Sequence, residues 1–179
     1  MKRILFLSLL TMQLTWMSGA RAEKADADKP SNVEATQFTL DDIKQVKIFT
    51  GNVVLTRGTL LINADKVVVT TDPSGYQFVT LYAASGGLAT FHQKRDSGPD
   101  LWIDGEAERI EYSDKTDIFK LFSKAQIRRL QGTKLTDVVN GEFISYDSRT
   151  EFYAVSNDVS GTSQMGGGRI KAVIQPKKK

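Results

Sequence analysis

The residues able to do chemistry in this chain are few and scattered. It has one histidine, His92, and no cysteine, which removes thiolate nucleophiles, thiolate zinc sites and disulfides together. His92 follows the apolar Phe91 in an alternating run and is expected to point outward, with no second histidine to complete a triad or a metal set. Asp104, Glu106 and Glu108 stand two apart, so on a strand they would share one face, as a pair of sugar-cleaving carboxylates would. Solvated strand residues beside a turn explain the same spacing more simply. Gly166-Gly167-Gly168 follows Gln164 and Met165 rather than an apolar strand, and no helical pattern follows it, so a phosphate loop lacks its context. It reads as a joint before a final strand at 169–174, and Gly86-Gly87 as a bulge or tight bend. No catalytic residue, metal ligand or cofactor is assigned, and the chain reads as a non-enzyme.

The elements around these residues point to an interior instead. One phrase recurs four times: a small residue, usually a polar or acidic one next, then two apolar or aromatic positions two apart. The copies are Ala35-Thr36-Gln37-Phe38-Thr39-Leu40, Ala64-Asp65-Lys66-Val67-Val68-Val69, Ala107-Glu108-Arg109-Ile110-Glu111-Tyr112 and Gly141-Glu142-Phe143-Ile144-Ser145-Tyr146. Repeated period-2 segments imply stacked β units that bury their apolar faces together. Turn signals such as Arg57-Gly58, Asp72-Pro73-Ser74-Gly75, Asp96-Ser97-Gly98-Pro99 and Asp147-Ser148-Arg149 separate them, and no stretch shows a helical stripe. The expected fold is all-β, a solenoid, trough or roll of about 14 to 16 short strands.

Alternation places Phe38, Leu40, Phe49, Val53, Leu55, Leu60, Ile62, Val67, Val69, Leu81, Ala89, Phe91, Ile110, Tyr112, Leu121, Ala125, Ile127, Ile144 and Tyr146 inward. Lys66, Arg109, Glu111, Lys120, Gln126 and Arg128 then face outward. A dry face of this kind is either a packed core or the lining of a channel, and the residues alone leave both open.

Residues 1–22 read as a secretory signal: Lys2 and Arg3, the apolar run from Ile4 to Leu10, and the small-x-small site Ala20-Arg21-Ala22, with cleavage after Ala22. Gln13, Ser18 and Arg21 interrupt the run short of the ~20 apolar residues a membrane span needs. Export then brings the 24 basic residues level with the 21 acidic ones, because Lys2, Arg3 and Arg21 leave with the signal. A near-neutral body carries no nucleic-acid footprint. Residues 23–30 are expected to form a disordered leader, residues 31–176 one β domain, and residues 177–179 a basic tail that solubilises the end or touches anionic headgroups.

Phe49-Thr50-Gly51-Asn52-Val53, then Gly58-Thr59, then Ile62-Asn63-Ala64-Asp65-Lys66-Val67-Val68-Val69 resemble the OstA-like family of lipopolysaccharide-export proteins. Ala89-Thr90-Phe91, Gly105 and Ala107 leading to Tyr112, and the closing run from Arg169 to Pro176 agree with it. The loop after Thr70 and residues 147–165 depart from the pattern, and Lys124-Ala125 stands where the first copy has a Gly-Asn pair. The resemblance implies a twisted, open β-jellyroll of V-shaped section in the periplasm. Its inward residues would carry lipopolysaccharide by the lipid A acyl chains. It also implies head-to-tail assembly with further copies, through edges at Val33, Ala35, Ile170, Val173 and Ile174. The implied neighbours are an inner-membrane-anchored partner of the same fold and the periplasmic domain of an outer-membrane lipopolysaccharide barrel.

Overall fold

The alternating segments do form strands. The computed structural model describes residue 26 and residues 28–176; the expected signal segment, most of the expected leader and the basic tail lie outside the described residues. Among the described residues, twelve strands make one antiparallel sheet: β1 (Asn32–Glu34), β2 (Gln37–Asp41), β3 (Val46–Arg57), β4 (Leu60–Thr71), β5 (Gln77–Tyr82), β6 (Ala89–Lys94), β7 (Leu101–Ala107), β8 (Arg109–Ser113), β9 (Ile118–Gln131), β10 (Lys134–Asp147), β11 (Phe152–Ser156) and β12 (Lys171–Ile174). The strand number is lower than the expected 14 to 16 because four strands are long. β3, β4, β9 and β10 run for 12 to 14 residues, and each changes partner or register midway. Counted as arms on either side of that midline, these four double and the expected short strands reappear.

The midline is a crease that divides the sheet into two walls. The first wall holds β1, residues 53–57 of β3, 60–64 of β4, β6, β7, 125–131 of β9, 134–141 of β10, and β12. The second holds β2, residues 46–50, 66–71, β5, β8, 118–122, 143–147 and β11. Inward side chains of both walls form one apolar cluster, from Val53, Phe91 and Ile127 on one side to Val67, Ile110 and Ile144 on the other. The section is therefore a V with its apolar faces turned together.

The repeated phrase turns out to be the corner itself. Inward residues step by two along each arm but by three across the crease, from Ala64 to Val67, Ala107 to Ile110 and Gly141 to Ile144. The neighbouring strands compensate with bulges. Gly51 and Asn52 oppose Asp65 alone, and Ser123 and Lys124 oppose Glu142 alone, all four bulge residues at positive φ. The counterpart of Gly51-Asn52 is thus Ser123-Lys124, one residue earlier than the sequence comparison placed it. Lys124 is fixed there by Glu108, whose carboxylate lies 2.7 Å from Nζ and whose N–H donates to the Ser123 carbonyl. Small residues recur at this line because converging walls leave no room: Ala89 pairs with Ala107 and Ala125 with Gly141, and the three alanines are buried.

Gly105 shows how tight the interior is beside that line. A methyl built on it would lie 2.1 Å from Phe91 Cε1, and Phe91 cannot retreat because it is itself fully buried. Gly105→Ala is expected to destabilise the fold by about 1–3 kcal/mol, read as a lowered denaturant midpoint at unchanged slope.

Two expectations about the ends change. Asp26, placed in the disordered leader, is buried and accepts hydrogen bonds from the Thr59 N–H at 2.9 Å and the Thr59 hydroxyl at 2.5 Å. The short Arg57-Gly58-Thr59 connection leaves a backbone donor that this carboxylate satisfies. The final strand begins at Lys171 rather than Arg169, and residues 157–170 form an irregular segment tied by Asn157 to the Gln164 and Gly168 carbonyls.

Candidate functional site

The interior of the V is closed over part of its length and open over the rest. Along β6 to β10 the walls meet without a gap: Phe91, Ile103, Ile110, Leu121, Ile127, Ile144 and Tyr146 have at most 1% of their surface exposed. Phe91 of the first wall stacks on Phe119 of the second with ring centroids 4.5 Å apart. Toward β1 the walls part around a cavity of about 220 Å³ bordered by Val33, Phe49, Leu55, Leu60, Ile62, Val69, Leu81 and Tyr112, with Lys47, Arg57, Gln77 and Asp114 at its rim.

The sequence-predicted lining residues therefore divide three ways. Phe49, Leu55, Ile62, Val69, Leu81 and Tyr112 border the cavity, while Val53, Val67, Phe91, Ile110, Leu121, Ile127, Ile144 and Tyr146 lie in the packed core. Phe38 and Leu40 were expected inside and are about half exposed. Phe38 keeps its inward orientation, stacked on Phe49 at 4.7 Å, but the first wall ends in the three-residue β1, too short to cover β2.

Among the described residues, the sheet ends at β1 and β2 on one side and at β11 and β12 on the other. β1 and β2 pair only with β3, and β11 and β12 only with β10. Val33 lies in β1, half-buried, and Ala35 in the corner between β1 and β2. Val173 and Ile174 lie exposed in β12, and Ile170 lies exposed just before it, outside any strand.

Three functional candidates escaped the sequence reading. Inward alternation does not stop at the last apolar residue: Val53-Leu55 continues to Arg57, Ala89-Phe91 through Gln93 to Arg95, and Ala125-Ile127 to Arg129. Each of these three runs of the first wall thus ends at the mouth of the V in an inward arginine, a signal readable by counting on in twos. Each arginine reaches the opposite wall. Arg95 ion-pairs with Glu151 of the turn between β10 and β11, both side chains largely buried. Arg129 donates to the Glu151 carbonyl at 2.7 Å and stacks over Tyr153 at 4.6 Å. Arg57 lies against the Tyr112 hydroxyl, which donates to Asp117 at 3.2 Å. Burial, reinforced by the Asp117 charge, pushes Tyr112 up to about 12, so the phenol remains a neutral donor across the whole neutral range.

The scattered polar candidates stay on the outer face. His92 meets Asp104 at 2.5 Å and stacks on Trp102. Asp104 and Glu106 also hold Arg128, each at 3.5 Å, whereas Glu108 lies past the end of β7 with Lys124. Two of the three carboxylates thus share Arg128 while the third pairs with Lys124 beyond the strand end. Among the described residues no three His, Cys, Asp or Glu converge on one point.

Comparison with known proteins agrees with this geometry. The family described as LptA/(LptD N-terminal domain) LPS transport protein matches residues 32–152. The chain is 30% identical over 174 residues to the lipopolysaccharide export system protein LptA of Haemophilus influenzae, covering 97% of this chain and 91% of that one. It is 38% identical over 124 residues to LptA of Escherichia coli K12, covering 67% and 65%. The crystal structure of LptH from Pseudomonas aeruginosa, the LptA homologous periplasmic component of the lipopolysaccharide transport device, superposes with a TM-score of 0.71. That match covers 84% of this chain and 99% of LptH at 24% identity, and it supports the jellyroll fold.

Proposed function

We propose, since this chain belongs to the LptA/(LptD N-terminal domain) LPS transport protein family, that it is a periplasmic, non-enzymatic carrier. It shields the acyl chains of lipopolysaccharide inside the V and passes them between membranes along copies joined edge to edge. Its neighbours are the inner-membrane-anchored partner of the same fold and the periplasmic domain of the outer-membrane barrel. The observation that carries the reading is the apolar cavity behind β1, continuous with a core built from the same inward residues.

The physics requires such an interior. At about 0.8 kcal/mol per methylene, an acyl chain of about a dozen carbons exposes about 10 kcal/mol of apolar penalty in water. A lining of Leu55, Ile62, Val69 and Leu81 removes most of that cost without covalent chemistry. The cavity is nevertheless small: about 220 Å³, below the roughly 300–1,000 Å³ of ordinary ligand pockets. The walls must therefore part for a many-chained lipid.

A second reading draws on the packed centre: a scaffold that acts only through its strand edges. The two diverge in the isolated chain. A photo-crosslinking group at Leu55 or Tyr112 is expected to capture lipopolysaccharide, and one at the outward Lys66 to capture none. Capture from Lys66 alone, with nothing from either interior position, would leave the scaffold standing.

A further inference from the structure

We infer that Arg57, Arg95 and Arg129 form a rail for the phosphate groups of an anionic amphiphile, and that their bonds across the mouth of the V are a latch the headgroup replaces. The inference rests on the carrier reading and adds the class of headgroup that the interior accepts.

Three features lead to it. The first is position. All three arginines are the last inward residues of first-wall arms, so a lipid with its tail against Leu55 and Ile62 would bring its polar end to this row. The second is unmet valence. The Nε atoms of all three arginines and Oε1 of Glu151 are buried without a hydrogen-bond partner. A guanidinium offers five N–H donors in a planar fork, and one carboxylate, one carbonyl and one phenol leave much of three forks unused. Burying guanidinium groups beside an apolar core is costly unless their donors are met. Phosphate is the ligand whose several oxygens and planar-fork match would meet them.

The third feature is coupling. Glu151 now holds Arg95 through its carboxylate and Arg129 through its carbonyl, tying the first wall to the second. A phosphate taking the place of the carboxylate frees the Arg95 bond that helps keep the walls together, so recognition of the headgroup and widening for the tails are coupled. Asp114 and Asp117 on the second wall repel an anion and confine it to the arginine side.

The test uses the full chain and three probes: bisphosphorylated lipid A, the same lipid A stripped of phosphate, and inorganic phosphate. The wild type is expected to prefer the phosphorylated lipid by about tenfold or more. The triple variant Arg57→Gln, Arg95→Gln, Arg129→Gln is expected to lose that preference while still binding the stripped lipid, and Arg128→Gln, on the outer face, to keep it. Should the triple variant fail to fold, Glu151→Gln decides in the opposite direction: it neutralises the carboxylate that holds Arg95 while leaving all three guanidinium groups and the Arg129 bond to the backbone carbonyl, so it should tighten the phosphorylated lipid severalfold, and an unchanged affinity would overturn the latch. Equal affinity of the wild type for both lipids would overturn the rail and leave the carrier standing; binding of neither would remove both. Inorganic phosphate that competes as well as the lipid would assign the site to the free ion and overturn the headgroup assignment.

Discussion

Phe91→Asp is expected to leave no stably folded protein. The ring lies on the first wall beside Ile62 and Gly105, stacked on Phe119 from the second wall, and only 1% of its surface is exposed. Every member of the surrounding cluster is apolar apart from the Tyr146 hydroxyl, so a carboxylate there meets no cation and must be desolvated or protonated. Truncation to alanine alone would cost about 3–5 kcal/mol. The buried charge adds to that, and about 5 kcal/mol already lies at the lower end of a domain's total stability. Loss of the β signal in circular dichroism at room temperature checks it. A variant that melted like the wild type would mean that this part of the interior is wet, an open trough where the structure has a packed one. Phe91→Asp therefore tests the state of the interior, and the crosslinking experiment at Leu55 and Tyr112 tests its contents.

Much of this architecture could be read before any coordinates because the period of two is strict along each arm. Val53, Leu55, Ile62, Val67, Val69, Phe91, Ile110, Ile127 and Ile144 fall inside as alternation requires. The failures cluster where alternation meets something non-local. At the crease the step of three is not legible, because the small residue and the acidic one after it look the same whether they open a strand or bend it. Only the bulges at Gly51-Asn52 and Ser123-Lys124, opposite Asp65 and Glu142, distinguish the two. Phe38 and Leu40 alternate properly but lie on a strand with no wall opposite, and coverage is a property of topology that one strand's sequence does not carry. Arg57, Arg95 and Arg129 are not legible to an alternation that counts only apolar residues inward, and Arg57 reads as part of the Arg57-Gly58 turn signal. At the mouth of a V the inward direction leads past the core to the opposite rim, where an arginine can find a partner.

Ala172→Pro is expected to abolish head-to-tail assembly while leaving the monomer folded. The Gln175 N–H donates to the Thr136 carbonyl, and Lys171, Ala172, Val173 and Ile174 pair in order with Asn140, Val139, Val138 and Asp137. Donors alternate along an antiparallel strand, so Lys171 and Val173 bond inward to β10 while Ala172 and Ile174 present their N–H groups to the free edge. Proline at 172 removes an outward donor and puts a ring in the path of an added strand, and an edge position tolerates it. The loss of backbone pairing and the obstruction together should weaken association at least about tenfold, seen as a single monomer boundary in sedimentation at concentrations where the wild type is expected to form longer species. The β1–β2 edge of the variant is untouched. Because an open row of unlike edges keeps one free edge of each kind at its ends, the variant should still add through that edge to a growing wild-type row and stop it. Substoichiometric Ala172→Pro would then shorten wild-type assemblies, whereas a scaffold joined like edge to like would merely lose the fraction of chains replaced. Wild-type assembly by Ala172→Pro itself would place the joint elsewhere than β12.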